Sequence, residues 1–281
     1  MKRSARWAER AFVVEGLELT RTAMASGAVP EVMFIASGTH QHRGVAQLAS
    51  AALDRGAKVF DLAPGVAERV SDTVTPQPTM TVFPMCDTAL SALESLTLVL
   101  VCVDVRDPGN LGTILRSAAA AAADAVICCG TTVDPFNPKA VRASAGSIFH
   151  VPLVVMGSAG EALGALRDSG VRRVGATVAG GEDYLALDWT LPTAIVLGNE
   201  ATGLGSEVIE LLDGLATIPM PGRAESLNVG MAAAVLCFEA VRQRRCAAAG
   251  GATPTATRTP GTVSASTMPA MVEPTPSEAS A

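Results

Sequence analysis

The chain has 281 residues and a formal net charge of −6, is 49% apolar and contains few aromatics. No apolar run approaches the ~20 residues of a membrane helix, the six cysteines lack metal-type C-x-x-C spacing, and the acidic balance argues against nucleic-acid binding through overall charge. Setting aside an Ala/Thr/Pro/Ser-rich end from 247 to 281, expected to be disordered, leaves about 245 residues, enough for one large or two modest cored domains. The start, Met1 to Trp7, is basic but has no apolar signal-peptide core. With Cys102, Cys128 and Cys129 in strand-like apolar runs, this implies a reduced, cytoplasmic setting.

Residues 1–90 read as a small α/β domain. Strands are expected at Phe12–Val14, Val32–Ile35, Lys58–Phe60 and Thr79–Phe83, and helices over Leu17–Ser26, Gly44–Arg55 and Val66–Ser71. Residues 1–58 hold eight Lys/Arg against five Asp/Glu, a local balance of +3. That excess within an acidic chain favours a polyanion contacting this unit. His40 and His42 are flanked by Gly38 and Gly44, which place them in a loop, so no metal site is expected there. A join follows over Pro84–Leu96, with a short helix expected over Ala89–Leu96.

Residues 95–246 alternate longer apolar strands with helices, which predicts a mainly parallel sheet with helices on both faces. Strands are expected at Leu98–Val103, Ala125–Cys129, Ile148–Val155 (broken at Pro152), Val174–Val178, Ala194–Leu197 and Leu215–Met220. Helices are expected over Leu111–Ala123, Lys139–Ser144, Gly160–Arg167 and Ser206–Leu212. A last helix is expected from Ser226, with Ser226 as its cap and Leu227, Met231, Val235, Phe238 and Val241 on its core face. Arg242, Arg244 and Arg245 would then meet the negative end of its dipole.

In such sheets ligands bind beyond the carboxyl ends of the strands. Three loops there carry polar residues among glycines and prolines. In Asp107-Pro108-Gly109-Asn110-Leu111-Gly112-Thr113-Ile114-Leu115-Arg116, Asn110 stands at the mouth of a helix. Gly112 and Arg116 share a face, and the glycine leaves room for the guanidinium to lie back. Leu197-Gly198-Asn199-Glu200-Ala201-Thr202-Gly203-Leu204-Gly205 follows a buried strand, with glycines that admit close backbone approach. Ile218-Pro219-Met220-Pro221-Gly222-Arg223-Ala224-Glu225-Ser226-Leu227-Asn228-Val229 leads into the last helix. No strand is followed by G-x-G-x-x-G, which weakens the generic alternative of a nicotinamide- or nucleotide-binding α/β enzyme.

Order and spacing of Asn110-x-Gly112-x-x-x-Arg116, Leu197-Gly198-Asn199-Glu200-x-x-Gly203-Leu204 and Ile218-Pro219-Met220-x-Gly222-x-x-x-Ser226-Leu227-Asn228-Val229 resemble the three motifs of the SpoU (TrmH-like) family. These are S-adenosylmethionine-dependent RNA ribose 2′-O-methyltransferases of the SPOUT superfamily. The resemblance covers about 95–245, and the first unit resembles the substrate-binding domain that many members carry, a layout similar to thiostrepton-resistance type enzymes. It implies a C-terminal trefoil knot, a homodimer, a cytoplasmic enzyme without metal, and a structured RNA substrate, for which ribosomal RNA is expected and transfer RNA is the alternative. Leu197, Gly198, Ile218, Met220 and Leu227 would bind the cofactor. Arg116 matches the catalytic arginine, and Asn110, Glu200, Ser226 and Asn228 the supporting polar residues. Arg142 resembles a second arginine of the resistance-type members. The alternative within the family is a non-catalytic RNA-binding relative.

Overall fold

A computed structural model of the protein describes residues 2–71 and 76–250. After a first helix α1 (Arg3–Glu9) come β1 (Ala11–Glu15), α2 (Leu17–Ala25), β2 (Val32–Ile35), α3 (Arg43–Asp54), β3 (Lys58–Asp61), α4 (Val66–Val70) and β4 (Thr79–Pro84). The four strands form one sheet in the order β1-β4-β2-β3, antiparallel except for β2 with β3. Alternation along β2 buries Met33 and Ile35 against α2 and α3, where Met24, Val45 and Leu48 join the same core.

The second sheet has seven strands. In chain order its elements are β5 (Leu98–Val103), α5 (Pro108–Ala120), β6 (Ala125–Cys129), α6 (Pro138–Ala143), β7 (Leu153–Val155), α7 (Ala159–Asp168), β8 (Arg172–Thr177), β9 (Glu182–Asp183), β10 (Thr193–Leu197), α8 (Ser206–Ile209), β11 (Gly214–Thr217) and α9 (Val229–Gly250). The strand order is β7-β6-β5-β10-β8-β11-β9, parallel throughout. Every residue of β5 is buried, as a central strand covered on both faces requires. Leu98, Leu100 and Cys102 pack with α5 and α9 on one face; Val99, Val101 and Val103 pack with α7 and Val208 of α8 on the other. Helices on both faces of a parallel sheet are thus as the alternation predicts.

The two sheets share one core. Phe12 of β1 packs on Phe136 and Phe149 of the second sheet's loops, and Phe83 of β4 on Phe149, with ring centroids 4.9–5.9 Å apart. A buried ion pair joins Arg6 of α1 to Asp134, and Trp7 meets Phe136 edge-on.

Several local expectations are corrected. Helix α1 is too short for periodicity to reveal and is held by Asp134 and Phe136 from far along the chain. Over 89–96 there is only a 3-10 turn, Leu90–Ala92; the spacing of Leu90, Leu93 and Leu96 reflects packing against the second core cluster. Strand β7 begins only at Leu153, after Pro152, and β11 stops at Thr217, before Pro219 and Pro221 deny it donors. Helix α5 begins at Pro108 rather than Leu111, because Asp107 caps it and Pro108 takes its first position.

Helix α9 differs most. It starts at Val229 with Asn228 as its cap, Oδ1 accepting from Gly230 N at 2.9 Å, so Ser226 lies outside it. Its buried face is made of small residues, Ala233, Cys237 and Ala240 with Leu236, while Met231 and Phe238 are 59% and 49% exposed. The cause is close approach to α5: a Cβ on Gly230 would meet Thr113 Cβ at 2.8 Å. Because the helix runs to Gly250, its arginines do not meet its end. Arg242 pairs with Glu239, and Arg244 donates to the carbonyls of Trp189, Leu191 and Thr97. Residues 247–250 are therefore helical rather than tail, and 251–281 lie outside the described residues.

Candidate active site

Beyond the carboxyl ends of β8, β10 and β11 lies a cavity of about 640 Å³, within the range of small-molecule sites. Its walls are the loop 198–204, the segment 218–228 and the first turn of α5. Leu197, Gly198, Ile218, Met220 and Leu227 line it, as do Asn110, Glu200, Ser226 and Asn228. Two of the eleven residues singled out in the sequence lie elsewhere, Arg116 and Arg142.

The 198–204 loop is tied by Asn199. Its side-chain amide donates to Asp104 O (2.8 Å), while its Oδ1 accepts from Ala201 N and Thr202 N (3.0 and 3.2 Å). Its backbone pairs both ways with Gly203, which adopts the left-handed region at φ 68°. The loop folds back so closely that a Cβ on Gly198 would stand 2.7 Å from Leu204 N. Only glycine lets the loop close on itself this tightly.

Polar groups form a chain along one rim. Glu200 accepts from the Arg106 and Asp107 backbone N–H groups at 3.1 and 3.0 Å and from Asn110 Nδ2 at 2.9 Å. Asn110 Oδ1 accepts from Asn228 Nδ2 at 2.7 Å, and Asn228 caps α9. One residue from each motif thus locks the first turn of α5, the glycine loop and the start of α9 together. Burial pushes the Glu200 carboxyl up, but the donors from Asn110, Asp107 and Arg106 outweigh it and hold it below the usual carboxylate range. Glu200 is therefore an ionised acceptor that organises the rim.

Arg116 is exposed on α5, six residues beyond Asn110. The space beside Gly112 does not receive it. A Cβ on Gly112 would stand 2.7 Å from the Ala143 carbonyl carbon and 2.8 Å from Ser144 N, so that glycine seats α6 against α5. At 100° per residue Arg116 projects between Gly112, which faces α6, and Thr113, which faces α9. Arg142 is paired with Glu15 of β1 at 3.2 Å, across the junction of the two sheets. His40 pairs with Asp61, and His42 precedes α3. Among the described residues no three His, Cys, Asp or Glu come together as metal ligands. No helix of the described residues is long and apolar enough to cross a membrane.

Sequence reading missed the end of β8, where Ala176, Thr177 and Val178 complete the cavity wall. The strand-end rule pointed there, but the segment has no polar motif to mark it. It also missed that Glu200 holds the backbone of residues 106 and 107, a contact between positions more than ninety residues apart.

Comparison with known proteins gives this geometry a lineage. Residues 97–238 match the model of the SpoU rRNA methylase family, and residues 1–81 that of the MRM3-like substrate-binding domain. The chain is 32% identical over 227 residues to the Bacillus subtilis 23S rRNA (guanosine(2553)-2'-O)-methyltransferase RlmP, covering 81% of this chain and 87% of that protein. It is 42% identical over 142 residues to a Streptomyces viridochromogenes 23S rRNA (uridine(2479)-2'-O)-methyltransferase, about half of each chain. Among solved structures, the AdoMet-bound rRNA methyltransferase of Sinorhizobium meliloti superposes with a TM-score of 0.77 at 32% identity, covering 86% of this chain and 90% of that one. The SpoU methyltransferase AviRb of Streptomyces viridochromogenes, in complex with AdoMet, gives 0.80 at 29% identity, covering 87% and 94%. By family model, sequence and architecture alike, the chain belongs to the SpoU rRNA methylase family.

Proposed function

We propose that the protein transfers a methyl group from S-adenosylmethionine to a ribose 2′-oxygen of ribosomal RNA, in the cytoplasm. The observation that carries this is the cavity into which all three motifs converge, tied by the Glu200–Asn110–Asn228 chain. Its residues fit the cofactor: the 198–204 loop that lines it brings backbone polar groups to a nucleoside, and Leu197, Ile218, Met220 and Leu227 offer apolar flanks. When bound, S-adenosylmethionine supplies an electrophilic methyl group.

The protein's own part is alignment and charge. Residues 1–90 serve as the RNA-binding domain and 95–246 as the catalytic one, and Arg142, through its pair with Glu15, positions the first against the second. Arginine is effectively always protonated, so Arg116 acts by stabilising the negative charge that develops on the 2′-oxygen as its proton leaves. Asn110, Glu200 and Asn228 hold the walls in register, and Ser226 lines the cavity beside them. The same reading includes the family's trefoil knot and a homodimer, the latter supported by the apolar stripe of Met231, Val235 and Phe238 that α9 leaves uncovered.

The test is transfer of tritiated methyl to deproteinised ribosomal and transfer RNA, followed by nuclease mapping. Label resistant to alkaline cleavage at one ribosomal RNA nucleotide is the expected result. Label confined to transfer RNA would move the substrate, and no transfer to either would overturn the activity.

A further inference from the structure

On the other side of the first turn of α5 lies a second hollow, of about 670 Å³, lined by Arg3 and Arg6 of α1, Arg106, Pro108, and Asn137 and Lys139 at the start of α6. No carboxylate lines it. Arg6 is committed to Asp134. Arg3, Arg106 and Lys139 are exposed and have no ion-pair or hydrogen-bond partner for their side chains among the described residues. Arg10, Arg142, Arg173 and Arg242 by contrast each find a carboxylate. Converging like charges repel one another, and a concave wall of them raises the local concentration of anions.

The hollow adjoins the cavity through the backbone. Pro108 opens to the hollow and Asn110 to the cavity, two residues apart on α5 and so about 3 Å along its axis. The peptide N–H of Arg106 is held by Glu200 at 3.1 Å, so the loop that carries one of the free cations is fixed by the rim of the other site. A polyanion with one sugar at the cavity mouth would run its neighbouring backbone over this turn.

We propose that Arg3, Arg106 and Lys139 form a subsite for a backbone phosphate of the RNA strand flanking the methylated ribose. This rests on the RNA-methyltransferase reading above. Phosphate contacts fix the register of a nucleic acid without reading its sequence, so the subsite aligns the ribose with the cavity. The free cations come from α1, from the loop before α5 and from α6, so the subsite exists only while the N-terminal helix is docked on the second sheet.

The experiment compares the full-length wild type with Arg3→Ser/Lys139→Ser, two exposed positions whose loss spares the core. Binding of labelled, deproteinised bacterial 23S rRNA is measured from low to moderate salt, and S-adenosylmethionine binding by calorimetry without RNA. The variant should bind the cofactor as wild type does, bind RNA more weakly, and show a log-affinity against log-salt slope shallower by about 1, the change expected for one lost phosphate contact. Lys139→Glu alone should weaken RNA binding further than Lys139→Ser. A variant with wild-type slope and affinity, while the wild type methylates the RNA, overturns the subsite and leaves the activity standing. Loss of pyrophosphate binding in the variant with RNA binding intact marks a free-anion site and overturns it as well. A wild type that neither binds nor methylates RNA removes the activity and the subsite together.

Discussion

Arg116 and Glu200 carry opposite charges and opposite tasks. Arg116 is exposed and makes no ion pair among the described residues. Arg116→Ala should cut methyl transfer about 10²–10³-fold, the usual loss of one charge-stabilising donor, with cofactor affinity unchanged; a fully active variant in a tritium-transfer assay would end its role. Glu200 does its work ionised. Its folded-state pKa is depressed, so its stabilising share is fully present above the unfolded carboxylate value of about 4.3 and is lost as pH falls through the lower folded value. The melting temperature of Glu200→Gln should therefore trail wild type near neutrality and converge on it in acid. A gap that widens on acidification contradicts the assignment. Asp213 and Glu239, held low by Arg173 and Arg242, keep an acid limb in both proteins. Gly198, Met220 and Leu227, which line the cavity, were legible through the resemblance of their short motifs to a family. The partners of Arg142 and Asp134 were not, because Glu15 and Arg6 lie more than a hundred residues away.

At the scale of elements, close approach decides more than hydrophobic period. The strands were readable because β5, β6 and β10 are buried on both faces and hence apolar without interruption. Helix α9 was readable in its existence and wrong in its face. Periodicity weights Met231 and Phe238, whereas α5 accepts only the small side, Gly230, Ala233 and Cys237. Gly112 follows the same logic on the opposite flank of α5. Gly112→Ala forces a methyl into the backbone of Ala143 and Ser144 and should cost about 1–3 kcal/mol as overpacking does. Thermal unfolding checks this, and an unchanged midpoint would show that α6 has room to yield.

At the scale of the molecule, the large side chains that α9 does not bury need a use. Exposed Met231 and Phe238 with half-buried Val235 lie one turn apart, an apolar stripe suited to a second copy of the chain. Met231→Asp with Phe238→Asp should convert a dimer into a monomer in sedimentation; a double variant that still sediments as a dimer would place the contact elsewhere. No periodicity could reveal the shared core, because Phe12, Phe136 and Phe149 are brought together only by the fold. That aromatic junction, with Arg6–Asp134 and Arg142–Glu15 on either side of it, packs the N-terminal sheet against the parallel one. If the N-terminal sheet grips RNA as proposed, this junction makes the enzyme a gauge: the distance from the gripped feature to the modified sugar would be set by the protein, and an RNA with that distance altered by a base pair should be a poorer substrate.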